Sequence, residues 1–121
     1  MDPHEFEDWL ESYREAWEEM DPEAAGALFS EDALYQETPF DDPFKGRTEI
    51  EEYWRDVTAD QNDPQVDVEV LAVSDGEGIG RFHTEFTDDD GVEVTMDGVC
   101  SVAFDGDLAV EFREWWHVET A

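Results

Sequence analysis

The sequence predicts an α+β fold, with three N-terminal helices packed on one face of an antiparallel sheet. Three observations lead there. Apolar residues at helical spacing, introduced by capping signals, fill the first half. Runs alternating with period two, broken by short Asp/Gly turns, fill the second. A chain of 121 residues has room for one core, and helices followed by strands in a single core form two layers. Residues 1–121 are therefore expected to make one domain, without repeats or a linker.

The elements follow in order. Asp2-Pro3-His4-Glu5 offers an N-cap, a proline at the first helical position and a glutamate able to close a capping box. Phe6, Trp9, Leu10, Tyr13, Trp17 and Met20 then form one apolar stripe on an otherwise acidic helix. Asp21-Pro22-Glu23 repeats the start signal for a short helix holding Ala24, Ala25, Ala27, Leu28 and Phe29. Residues 33–38 read as a short strand ended by Pro39, and 39–47 as a loop. Thr48-Glu49-Ile50-Glu51 reads as a capping box opening a third helix, with Ile50, Tyr53, Trp54 and Val57 on one face. Strands are expected at 65–74, 79–87, 92–104 and 108–119. Their separators, 75–78, 88–91 and 105–107, are tight enough to make consecutive antiparallel hairpins.

Charge narrows the function classes. Thirty-six Asp and Glu face six Lys and Arg, a formal net charge of −30. Nucleic acid and anionic membrane surfaces, both bound through excess Lys and Arg, are excluded as partners. Aromatic residues make up 13% of the chain, including five Trp and eight Phe, too many for a disordered acidic tail. Such charge costs self-repulsion, which a Debye length of about 3 Å at molar salt screens. The composition resembles that of acidic proteins from salt-in halophilic archaea. Cys100, the one cysteine, excludes an intrachain disulfide and a Cys-rich zinc site. No signal peptide or membrane-length apolar run is read, so a cytoplasmic location is expected.

Strand register decides which side chains meet. Pairing Thr87 with Val92 across the 88–91 turn sets Arg81 opposite Gly98, His83 opposite Met96 and Glu85 opposite Val94, all on one face. A three-residue loop at 105–107 pairs Gly98 with Glu114. A loop at 104–106 slides that pairing by two and keeps the face. A two-residue Asp105-Gly106 turn would flip the strand and mate an apolar face with a charged one, and is rejected. The expected rows are Arg81, Gly98, Glu114 and then His83, Met96, Trp116, with Arg81 and Glu114 meeting above the glycine. Charged groups and an imidazole converging on an apolar face describe a small-molecule pocket. The same Arg81–Glu114 pair is also what a purely structural salt bridge would look like. Asp97 and His117 fall on the opposite face, and His4 on the first helical turn. The three His, without HxH or HxxxH spacing, give little reason to expect a metal. No phosphate loop or GxSxG elbow is present, and Ser101 and Cys100 lack a positioned base.

Three segments carry a family resemblance: Leu28-Phe29-Ser30-Glu31-Asp32-Ala33-Leu34-Tyr35, Phe44-Lys45-Gly46-Arg47-Thr48-Glu49-Ile50 and Phe112-Arg113-Glu114-Trp115-Trp116-His117. With the order of elements, they make nearly the whole chain resemble the nuclear transport factor 2-like (cystatin-like) superfamily and its SnoaL-like branch. The superfamily includes polyketide cyclases, ketosteroid isomerases and limonene-type epoxide hydrolases. The resemblance implies a cone whose curved sheet wraps an apolar pocket closed by the helices, and a homodimer. Against the hydrolases' Tyr-x-Asn, Arg-x-Asp and terminal acid, Tyr35, Arg81 and Glu114 match. Glu37 and His83 stand where Asn and Asp would be, which counts against epoxide hydrolysis.

The expected protein binds a small hydrophobic or amphipathic organic molecule. As an enzyme it would carry out cofactor-free isomerisation, cyclisation, dehydration or hydrolysis. Glu114 would be the base, kept ionised by Arg81, and His83 its acid–base partner. Tyr35 and Glu37 would orient substrate or water, and Trp17, Trp54, Met96, Phe112 and Trp116 would form the wall. The alternative is a ligand-binding or dimerisation module of the same fold without chemistry.

Overall fold

A computed structural model describes residues 1–121. Helix α1 (Pro3–Glu18) starts at the expected capping box. The Asp2 side chain accepts from the Glu5 N–H, and the Glu5 side chain accepts from the Asp2 N–H. Its stripe is buried from Phe6 to Trp17. Met20 lies past the helix end at φ 51° and is exposed, so it is not part of the stripe. Asp21 caps α2 (Pro22–Gly26) through the Ala24 N–H. Helix α3 (Gly46–Thr58) begins before the expected cap at Thr48. Lys45 occupies the cap position without a side-chain bond of its own, and Glu49 accepts from the Lys45 N–H. Arg47 fastens this helix to the end of α2 and to the segment that follows it, donating to the carbonyls of Gly26 and Phe29. No helix is long and apolar enough to cross a membrane.

The strands are β1 (Phe29–Gln36), β2 (Phe44–Lys45), β3 (Asn62–Ser74), β4 (Glu77–Thr87), β5 (Glu93–Asp105) and β6 (Leu108–Thr120). They form one sheet in the order β2-β1-β6-β5-β4-β3. The last four are the expected hairpins. The sheet is mixed because β1 runs parallel to β6, while the short β2 forms inside the expected loop 39–47. All three helices lie on one face. There Phe6, Trp9, Tyr13 and Trp17 of α1 meet Phe29, Tyr35, Phe82, Phe104 and Phe112 in an almost continuous aromatic core. Tertiary burial of this face, more than helix propensity, holds α1 in place.

The β4–β5 register differs from expectation by one residue. Asp88 and Val92 close the turn through the Asp88 N–H, leaving Asp89-Asp90-Gly91 as a three-residue loop with Gly91 at φ 80°. This is a common hairpin loop with glycine in the left-handed position. The shift sets His83 opposite Asp97, Phe82 opposite Gly98 and Thr84 opposite Met96. A one-residue slip exchanges the faces of a strand. Arg81, His83 and Glu85 therefore point outward, and Phe82, Thr84 and Phe86 point into the core.

The β5–β6 turn is the tight kind rejected above, with Asp105 opposite Leu108. A bulge between the Ala103–Glu111 and Phe104–Ala109 pairs then restores the inward face. Glu114 consequently faces inward as expected, but opposite Cys100, and Gly98 lies opposite Trp116.

Candidate functional site

Beneath the helices, the inner sheet face leaves a cavity of about 220 Å³. Eight aromatic residues line it: Tyr13 and Trp17 from α1, Tyr35 from β1, Tyr53 and Trp54 from α3, Phe82 and Phe86 from β4, and Trp116 from β6. Val57, Val94, Met96 and Val118 complete the apolar wall. The polar side chains on it are Gln61, Glu37 and Glu114. Gln61 is already engaged, accepting from the Trp17 indole N–H at 2.7 Å. A second cavity of about 560 Å³ adjoins at the open end, between residues 37–40 and the end of β6. It shares Glu37, Glu114 and Trp116 with the first.

Glu114 is the unusual group. Its residue is 6% exposed, and no Lys, Arg or His lines the cavity. Its one hydrogen bond comes from the Tyr35 hydroxyl, which donates to Oε2 at 3.3 Å. The chain's three tyrosines, Tyr13, Tyr35 and Tyr53, all lie close enough for the Glu114 charge to act on them. Burial, and then the neighbouring Glu37 carboxylate, push Glu114 up to about 8, against the lowering effect of the Tyr35 bond. At neutral pH it is therefore predominantly the neutral acid. Burial chiefly, with Asp41 adding to it, also raises Glu37. Each tyrosine hydroxyl is pushed above its ordinary range by burial and then by Glu114, so all three remain donors. Burial likewise raises the Cys100 thiol to about 12, leaving it an inert packing group. Two buried donors on this wall, the Tyr13 hydroxyl and the Trp54 indole N–H, have no partner.

The expected catalytic set is only partly brought together. Glu114, Tyr35 and Glu37 share the cavity, whereas Arg81 and His83 do not reach it. On the outer face, Arg81 bonds to Asp97 and Glu69, and His83 Nδ1 lies 2.8 Å from Asp97 Oδ2. The Asp97 hydrogen bond raises His83, and the reciprocal bonds lower Asp97. The Arg81–Glu114 ion pair therefore does not form, and Arg81 does not keep Glu114 ionised. The space over Gly98 is taken instead by the Phe82 ring: a Cβ placed there would meet Phe82 Cζ at 2.8 Å and Trp116 Cβ at 2.7 Å. Among the expected wall residues, Trp17, Trp54, Met96 and Trp116 line the cavity. Phe112 lies behind it, stacked on Tyr35 with ring centroids 4.5 Å apart.

Tyr13, Tyr53, Phe82 and Phe86 were not expected at the site. Two signals point to them. β4 alternates Arg81, His83 and Glu85 with Phe82, Thr84 and Phe86, so the inward face is the one bearing the two phenylalanines. A tyrosine on an apolar helical stripe also carries a hydroxyl that needs a partner once buried.

Comparison with known proteins now places the chain. Residues 10–112 match the family model of the SnoaL-like domain. The chain belongs to this family. Among solved structures it is similar to an epoxide hydrolase/cyclase-like enzyme, SalBIII, of pyran ring formation in the polyether salinomycin. The TM-score is 0.85 at 17% identity, covering 99% of this chain and 98% of that one. A putative isomerase from Bacillus subtilis gives 0.82 at 18% identity, covering 97% and 90%. A hypothetical protein with a ketosteroid isomerase-like fold from Catenulispora acidiphila, solved with trimethylamine, gives 0.73 at 16% identity, covering 88% and 83%. These likenesses show the nuclear transport factor 2-like cone: three helices on a curved, unclosed sheet of six strands. No curated protein matches the chain by sequence.

Proposed function

We propose that this SnoaL-like protein transfers protons within a small, mostly apolar organic molecule, with Glu114 as the group that gives and recovers the proton. The observation that carries the reading is a buried carboxyl, held by one tyrosine hydroxyl, on the wall of an aromatic cavity, where burial pushes it up to about 8. A group that titrates near the working pH is suited to general acid–base work. The Glu114 proton passes to a ligand oxygen or carbon, and the carboxylate left behind takes a proton from another position of the same ligand. That cycle needs no cofactor and covers isomerisation and ring closure. Tyr35 stabilises the carboxylate form through its hydrogen bond. The unpartnered Tyr13 hydroxyl and Trp54 indole N–H supply donors for a ligand oxygen. Glu37, at the junction of the two cavities, orients ligand or water. The family match and the isomerase and cyclase-like neighbours support this class of chemistry.

The homodimer remains part of the proposal, with the outer sheet face as its contact. There Trp115 is 46% exposed beside Arg113, and Arg81 and Asp97 lie on the same face. Light scattering at high salt reads this directly.

The functional test is proton exchange. Small ketones, enones and epoxides are incubated with the protein in deuterated water, and deuterium uptake or rearrangement is followed by NMR. Glu114→Gln is expected to cost at least about a hundredfold in rate. A rate unchanged by that substitution overturns the proposal.

A further inference from the structure

We infer that the preferred ligand is an apolar organic cation, a substituted ammonium whose charge sits between Glu114 and Glu37 and whose alkyl groups rest on the aromatic wall. The inference rests on the reading of this cavity as a ligand site and names its ligand class.

Four features of the cavity point the same way. Its wall is aromatic on several sides, and aromatic faces attract cations lodged among them, most strongly when water is excluded. Both of its carboxyls lie where the two cavities meet, and no Lys, Arg or His lines the inner one. Glu114 is more than nine-tenths buried, yet accepts a single hydrogen bond of the several its two oxygens can take. Once Glu114 ionises, its buried carboxylate has no countercharge, and ligand charge placed beside it would offset that cost. A neutral ligand brings no countercharge to the ionised carboxylate, and an anionic one adds repulsion from both glutamates. The volume of about 220 Å³ suits a small head group.

Binding of such a cation must be coupled to the ionisation of Glu114. The groups facing that carboxyl are Tyr13 from α1, Tyr35 from β1, Tyr53 from α3, Cys100 from β5 and Glu37 beyond β1. His117 lines the outer cavity. The tyrosines and the thiol stay neutral in the pH range concerned, which leaves the two carboxyls, and chiefly the more deeply buried Glu114, to carry the linkage. Where the cation prefers ionised Glu114, affinity rises with pH as the carboxyl titrates, by up to about two orders of magnitude between about pH 6 and pH 9. The bound cation also draws Glu114 toward its carboxylate form, so with such a ligand the proton cycle runs from the other end. The carboxylate first takes a proton from a carbon beside the ammonium group and then returns it elsewhere on the same ligand.

The experiment compares three probes of similar shape: tetramethylammonium, neutral 3,3-dimethylbutan-1-ol and anionic pivalate. Binding is read from indole NMR shifts of Trp17, Trp54 and Trp116 in about 2 M KCl, which screens the acidic surface. The expected result is that the cation binds at least about tenfold tighter than the alcohol, and tightens with pH. Glu114→Gln should remove most of the pH dependence, and Glu37→Gln should weaken the cation more than it weakens the alcohol. Alcohol binding equal to or tighter than cation binding overturns the inference while leaving the cavity a ligand site. If neither cation nor alcohol perturbs those indoles, the cation inference fails together with the ligand-site reading on which it rests.

Discussion

Replacing Glu114 by Gln should make the protein more stable at alkaline pH, and the size of the effect follows from the site. The Glu114 carboxyl moves from an ordinary value of 4.5 to about 8 on folding. A carboxyl raised by folding favours the native state fully below its unfolded value. That advantage is lost as pH climbs through the interval between the two values. Above about 8 the native state carries a buried, unpaired charge. An interval of about 3.5 units corresponds to up to about 5 kcal/mol. Gln keeps the shape and never ionises, so the variant and wild type should be close at about pH 4 and diverge steadily from about pH 5 to about pH 8. For a chain of this length the unfolding entropy near the midpoint is about 250 cal/mol/K, which makes the limiting difference about 20 °C in Tm at pH 9. Thermal melts of both proteins at fixed high salt, stepped from acid to alkaline pH, measure it. The difference between the two curves removes the effect of the other carboxylates, which both proteins share. Parallel curves across the whole range would mean that Glu114 titrates like an exposed glutamate and is not held neutral by burial.

Other expectations follow from the same geometry. Tyr35→Phe removes the one hydrogen bond to Glu114, so the Glu114 midpoint should move higher still, as read by the pH dependence of stability or turnover. Arg81→Gln and His83→Gln should leave cavity binding and proton exchange within about twofold, since both residues lie on the outer face; a loss beyond tenfold (about 1.4 kcal/mol) would restore them to the site. The His83–Asp97 contact raises His83, so any stabilisation it gives is complete below the ordinary value of about 6.5 and fades as pH rises through the raised one. Gly98→Ala should destabilise by about 2 kcal/mol or more in denaturant melts, because the added methyl meets Phe82 and the backbone of β6.

Much of the fold was legible because local chemistry decides it. Asp2 and Asp21 cap where their side chains reach free N–H groups, and the stripe from Phe6 to Trp17 has no other way to be buried. Turn parity was harder to read. Asp88-Asp89-Asp90-Gly91 can be counted as a two-, three- or four-residue loop, and one of these counts reverses every side chain on β4 relative to the other two. The alternation of β4 itself favours the observed face, and weighting it above the turn would have put Arg81 and His83 outside. The β5–β6 hairpin came out on the right face although its turn is two residues long, because a bulge near Val110 compensates. A bulge answers to packing between strands distant in sequence, and no local signal marks this one. The parallel pairing of β1 with β6 is equally non-local. Glu114 could be singled out from the strand pairing, and Tyr35 and Glu37 through a family resemblance. The gathering of Tyr13 and Tyr53 around Glu114 needed the packing of α1 and α3 over the sheet.

The most direct test of the central claim is infrared spectroscopy of the carboxyl groups at neutral pH and high salt. Nearly all of the chain's 36 acidic side chains are ionised there and absorb as carboxylates. A protonated-carboxyl C=O band is expected to persist at about pH 7, to disappear with a midpoint of about 8 and to be missing from Glu114→Gln. A wild-type spectrum whose protonated-carboxyl band is already gone by about pH 6, with no difference from the variant, would contradict that claim.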